Sequence, residues 1–186
     1  MREELLEIYS SSGKKTGQKA TKSYIHKKGL FHATVHVWIF SEKGNVLIQK
    51  RSTKKKLNPG VWDVSVAGHI EYKEDIKAAA IRETFEETGL HIKEKDLFKL
   101  GIYSSVSNHS KIIDKEFHHT YLLKINEDKI NLNYKNDEVD DLKLISLGEM
   151  VHLLNQNSRD TFIGKNKNYY KDVFEAILEI TKENYQ

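Results

Sequence analysis

The chain has 186 residues, 38% of them hydrophobic and 31% charged, with a formal net charge of +3; that fits one domain with an ordinary core and no strongly basic or acidic partner. It contains no cysteine, which excludes disulfides, thiolate metal sites and cysteine nucleophiles. The start, MREELLEIYSSSG, lacks the apolar centre of a signal peptide. No apolar run is long enough to cross a membrane, so the expectation is a cytoplasmic protein.

Residues 1–30 read as a polar N-terminal extension packing on the domain, with turn signals at Ser10-Ser11-Ser12-Gly13, Gly17 and Gly29. Leu5, Leu6, Ile8 and Tyr9 suit a short strand, and Tyr24-Ile25 another. The main domain, residues 31–186, opens with a β-rich run from Phe31 to Phe40 that is partly apolar on both faces. Glu42-Lys43-Gly44-Asn45 turns it into a strand over Val46–Arg51. Lys54 to Gly60 is a loop closed by Asn58-Pro59-Gly60, and Val61 to Val66 is a third strand leading to Gly68.

From Gly68 to Leu90 the chain reads GHIEYKEDIKAAAIRETFEETGL. Ala78 to Arg82 are mostly good helix formers, Glu74 and Asp75 suit a first turn, and Gly89 before Leu90 reads as a left-handed stop. At about 100° per residue, Glu83, Glu86 and Glu87 share one arc, with Ala78, Ile81 and Phe85 opposite. The expectation is therefore a packed apolar side and a side presenting three carboxylates. Repulsion along that arc costs roughly 0.2–0.5 kcal/mol per pair, and Arg82 offsets part of it. A hard divalent cation such as Mg²⁺ or Mn²⁺ would resolve the rest. Taken alone, Glu-x-x-Glu-Glu reads more readily as a solvated charged helix face than as a metal site.

Beyond the helix, Leu97 to Val106 and Lys115 to Ile125 pair as antiparallel strands across a Ser107–Asp114 loop, and Leu142 to Ile145 is a short strand. Ser146-Leu147-Gly148-Glu149 is a capping box opening a helix that buries Met150, Leu153 and Leu154. Asn166 to Tyr185 is a terminal helix with Val173, Ile177 and Ile180 on its apolar stripe. Strands around one central helix and two terminal ones argue α+β architecture. No pattern encodes oligomeric state; a dimer is left open.

The spacing decides between the two views of the acidic helix. Gly68, five residues, Glu74, seven residues, Arg82-Glu83, two residues, Glu86-Glu87, one residue, Gly89 and an apolar residue resembles the Nudix box at every fixed position. Thr84 departs from it, since that family usually carries an aliphatic residue there. The resemblance, over at least residues 31–150, implies an α/β/α sandwich around a mixed sheet with the box as a loop–helix–loop. It implies Mg²⁺-dependent (or Mn²⁺-dependent) hydrolysis of a diphosphate bond in a nucleoside diphosphate linked to another moiety, a small-molecule substrate rather than nucleic acid. Glu86 and Glu87 would hold the metal with the Gly68 carbonyl. Glu83 would be base or further ligand, Arg82 would orient the carboxylates, and Glu74 would close the loop onto the helix. Glu116 or Glu138 could serve as base instead.

Outside the box the chain looks most like the branch that includes type I isopentenyl-diphosphate isomerase. The carriers are Phe31-His32, Trp38-Ile39-Phe40, Gln49-Lys50-Arg51, Pro59-Gly60-Val61-Trp62 and Ser65-Val66-Ala67-Gly68-His69. That likeness implies a second metal site from His32, His69 and Glu116, with Asp114 at an acidic ligand position and His26 as a third histidine of slightly different spacing. It also implies diphosphate contacts from Arg51 and Lys55. The isomerases need a catalytic cysteine where this chain has Ala67, so an intact box without that cysteine points to hydrolysis. An isomerase-like enzyme, a non-catalytic nucleotide-binding module and an RNA pyrophosphohydrolase are the alternatives. His36, His91, His109, His118, His119 and His152 read as ordinary core or surface residues.

Overall fold

The computed structural model describes residues 3–109, 112–155 and 166–182. Its central strand, β3 (Phe31–Ser41), runs parallel to β8 (Ile112–Ile125) from Phe31↔Lys115 to Ser41↔Ile125. It also pairs antiparallel with β6 (Val66–His69), from Thr34↔His69 to Val37↔Val66. β7 (Leu97–His109) adds antiparallel to β8. β4 (Val46–Arg51) meets β3 only at Phe40↔Val46 before it pairs with β9 (Val139–Ile145). The hairpin of β1 (Leu5–Tyr9) and β2 (Lys15–Thr21) joins β3 at Tyr9↔Phe31.

Alternation along β3 explains why both its faces are apolar. Ala33, Val35, Val37 and Ile39 face one core, shared with Ala79 and Ala80 of α2 (Ile76–Thr88). Trp38 and Phe40 face another, shared with Met150 of α3 (Leu147–Asn155) and with Val173 and Ile177 of α4 (Lys167–Lys182). The sheet therefore lies between α2 and the α3/α4 pair, an α/β/α sandwich. The capping box forms as expected: Ser146 N–H donates to Glu149 Oε2 at 2.8 Å and Glu149 N–H to Ser146 Oγ at 3.2 Å. The described part of α4 ends at Lys182, so residues 183–185 of the expected helix lie outside it.

Three expectations are corrected. Tyr24-Ile25 is not a strand but part of a helix, α1 (Lys22–Lys28), capped by Thr21 and stopped by Gly29 at φ 61°. Seven residues are too few to show a helical period. The expected strand Val61–Val66 is broken: β5 (Trp62–Asp63) pairs with β4, while β6 pairs with β3. The break sits at buried Ser65, whose Oγ accepts the Ile39 N–H at 2.8 Å and donates to the Leu47 carbonyl at 2.5 Å. One hydroxyl thus bridges β3 and β4 where they part. Finally, Ser107 and Asp114 are not loop residues but ladder partners, because β7 and β8 extend to His109 and from Ile112.

Candidate active site

α2 begins at Asp75, whose Oδ1 accepts the N–H groups of Lys77 and Ala78, and ends at Gly89, at φ 72°. Its orientation reverses the sequence expectation. Phe85 is 45% exposed, whereas Glu83 and Glu87 are 6% and 1% exposed and face the sheet with Thr84 and Thr88. Ala78 is exposed and Ile81 half-buried. Of the three glutamates only Glu86 is exposed.

Buried carboxylates need donors. Glu87 Oε2 accepts from Gln49 Nε2 at 2.6 Å and from the Ala67 N–H at 2.8 Å, both on the strands that flank the parting of β3 and β4. Glu83 Oε1 accepts from Arg82 Nη1 at 2.7 Å. Its carboxyl lies against the Gly68 backbone, so a Cβ there would overlap the carboxyl carbon. Gly68 is required for that close approach. Arg82 also grips both oxygens of Glu74 at 2.8 and 2.9 Å, Glu86 Oε2 at 2.9 Å and the His69 carbonyl at 3.0 Å. Thr84 is accommodated in the buried face because its hydroxyl donates to the Ala80 carbonyl.

The donors do not balance the charge. Burial pushes Glu83 up to about 7 despite the opposing pull of Arg82. Burial, reinforced by the charge of Glu83, pushes Glu87 up to about 8. Such a pair either shares a proton or takes up a cation.

Arg51 and Lys55 line the same cleft, but each is matched to an acid. Arg51 Nη1 donates to Asp63 Oδ2 at 3.2 Å, and Lys55 Nζ to Glu138 Oε2 at 2.6 Å; beside it Lys54 pairs with Asp137 at 2.6 Å.

A second cluster shares this cleft of about 2390 Å³. Strand register builds it: His32 stands opposite Glu116, and Thr34 opposite His69. The helix α1 brings in His26. His26 Nε2 and His32 Nε2 lie 3.5 and 3.7 Å from Asp114 Oδ1. His32 Nε2 and His69 Nε2 lie 3.6 and 4.0 Å from Glu116 Oε1. All three Nε2 atoms and Asp114 Oδ1 are buried without a hydrogen-bond partner. Burial holds His26 down at about 4 and His69 well below its ordinary range. Burial and the charge of Glu116 push Asp114 up to about 7. Burial would raise Glu116 too, yet His32 and the neighbouring histidines outweigh it and hold Glu116 low. Next to it His118 hydrogen-bonds Thr34 and Ser105, and His36 hydrogen-bonds Tyr169, each at 2.8 Å. The sequence names Gln49 only as part of the Gln49-Lys50-Arg51 likeness; its role as a donor to Glu87 emerges from the fold.

A family model described as the NUDIX domain matches residues 30–164. The chain belongs to the Nudix family. A Nudix hydrolase of Clostridium acetobutylicum, itself uncharacterized, is 31% identical over 96% of this chain and 99% of its own length. Isopentenyl-diphosphate Delta-isomerase 2 of Photorhabdus laumondii is 33% identical over 77% of each chain. Among solved structures, DR0079 of Deinococcus radiodurans shares the fold with TM-score 0.65 and 16% identity, over 95% of this chain and 98% of that one. The NUDIX domain of Shewanella oneidensis NrtR, solved with ADP ribose, has TM-score 0.57 and 15% identity over 78% and 87%. The chain is thus a Nudix hydrolase, an enzyme of acid anhydrides in a family that generally uses divalent metals. No helix among the described residues is long and apolar enough to span a membrane.

Proposed function

We propose that this enzyme hydrolyses the diphosphate bond of a nucleoside diphosphate joined to another group, with Mg²⁺ or Mn²⁺ on the box helix. The observation that carries this reading is the pair of buried carboxylates, Glu83 against Gly68 and Glu87 against the Ala67 amide, with too few donors to neutralise them. Both protein donors to Glu87 fall on Oε2, which leaves Oε1 for a cation. Glu86 and the Gly68 carbonyl complete that ligand set. A divalent ion bound there would spread the charge of the diphosphate and make bound water easier to ionise. Glu83, poised near neutrality, suits removal of a proton from the attacking water. Arg82 keeps Glu74, Glu83 and Glu86 in register. Arg51 and Lys55 would exchange their acidic partners for phosphate oxygens.

The second cluster also fits a metal. Three imidazole nitrogens and two carboxylates suit a transition ion such as Mn²⁺ better than Mg²⁺, and the orphaned Nε2 atoms support that occupancy. This cluster favours a second reading, an isomerase-like enzyme of prenyl diphosphates. Ala67 in place of the needed cysteine weighs against it.

A substrate screen decides. Nucleotide sugars, dinucleoside polyphosphates and coenzymes are incubated with Mg²⁺ or Mn²⁺, and isopentenyl diphosphate is scored for the dimethylallyl isomer. Release of phosphate-bearing products that Glu87→Gln lowers on the order of 10²–10³-fold supports the hydrolase. Conversion of isopentenyl diphosphate, or thermal stabilisation by nucleotides without turnover, refutes it.

A further inference from the structure

Glu4 lies outside the box and outside the ligand set, yet it points into the histidine cluster. Its Oε2 is buried without a hydrogen-bond partner and lies 3.4 Å from His69 Nδ1. On the other side of the same ring, His69 Nε2 faces Glu116. Glu4 is not loosely placed: Lys22 Nζ donates to its Oε1 at 3.2 Å, and the Lys22 N–H to its carbonyl at 3.0 Å. Lys22 is the first residue of α1, the helix that also carries His26.

We infer that Glu4 is a positioning residue for the histidine cluster, holding the proton of His69 on Nδ1 so that Nε2 offers its lone pair to a metal. The inference rests on the reading of that cluster as a metal centre. An ionised carboxylate can only accept a hydrogen bond, and of the two that flank this ring Glu4 is the nearer, 3.4 Å from Nδ1 against 4.0 Å from Nε2 to Glu116, so the proton is favoured on Nδ1 and the lone pair on Nε2. His32 is arranged in the same way, with Nδ1 3.3 Å from the Leu30 carbonyl and Nε2 turned inward. Oxygen behind a histidine ligand fixes its tautomer and strengthens it as a donor. The extension thus contributes to the chemistry of the domain as well as packing on it.

Mn²⁺ titration of the full chain by calorimetry tests this, in a Glu86→Gln/Glu87→Gln background that silences the box. His32→Ala in that background reports whether the cluster binds at all. If it takes up Mn²⁺ as its parent does, the metal-centre reading fails first. If only the parent binds, Glu4→Ala is expected to weaken binding by roughly 10- to 100-fold, with Glu4→Gln, which still accepts a hydrogen bond, in between. Nitrogen NMR of the metal-free protein should show His69 protonated on Nδ1 in the parent and a mixture of tautomers in Glu4→Ala. Unchanged affinity together with an unchanged tautomer in Glu4→Ala overturns the inference. Should that variant unfold, Glu4→Gln decides alone, since Mn²⁺ affinity equal to the parent's overturns it equally.

Discussion

Glu83, Glu86 and Glu87 come from one stretch of α2, whereas His26, His32, His69, Asp114 and Glu116 arrive from α1, β3, β6 and β8. The helix sets the first group by spacing alone. The second exists only because β3 and β8 pair in one register, since a slip of one residue would turn His32 to the opposite face. Their electrostatics differ as well. The box is short of positive charge, and Glu83 and Glu87 are pushed up. In the other cluster acids and imidazoles are mixed, so Glu116 is held low while Asp114 rises. A contiguous site can thus be crowded with like charge, while a site assembled from distant segments is balanced by partners from each.

The largest expected effect falls on the box. Glu87→Gln should lower metal-dependent kcat on the order of 10²–10³-fold, the range lost with one preorganised electrostatic contact, read in a steady-state assay. The same substitution carries a pH signature. Glu83 and Glu87 titrate higher when folded than their ordinary value of 4.5, so the folded state binds more protons between there and about 8. Stability from this source is full at low pH and falls as pH rises through that window. Metal-free Glu87→Gln should therefore gain on the parent between pH 5 and 8.5, by an amount on the order of a few kcal/mol, read as the difference in melting temperature.

Next comes the second cluster. Mn²⁺ at a hundred times its Kd should stabilise the protein by about 2.7 kcal/mol, each kcal/mol raising Tm by about 2–4 °C. His32→Ala should lose the part due to this cluster. Gly68→Ala should cost about 1–3 kcal/mol by overpacking against Glu83, with loss of turnover, and calorimetry reads the first. The smallest effect is at the rim: breaking the exposed Lys54–Asp137 pair, which solvent and salt screen, should leave the midpoint of chemical denaturation unchanged.

The strands from β3 onward and the box were legible because each rests on a local period or a fixed spacing. The facing of α2 was not, because a hydropathy wheel assigns every glutamate to water. Gln49 and the Ala67 amide, which let Glu87 turn inward, lie on other elements. The helix α1 was hidden by its length, and the break at Ser65 by a run of strand-forming residues on both sides. His26 was named from the family likeness, but the contact of Glu4 with His69 emerges only from the fold. The charged residues at the rim, Arg51 and Lys55, could be named, but not the acids that hold them, since Asp63 and Glu138 reach them across the fold.

Ser65 has a consequence for how the sheet tolerates change. Two strands that separate each abandon a main-chain group, and here a single oxygen answers both the Ile39 amide and the Leu47 carbonyl. With alanine in its place those two groups would be left bare in the interior, at a cost of roughly 1–3 kcal/mol each. Ser65 stands just before β6, the strand whose Ala67 amide holds Glu87, so a side chain that touches neither metal nor substrate braces the box from behind.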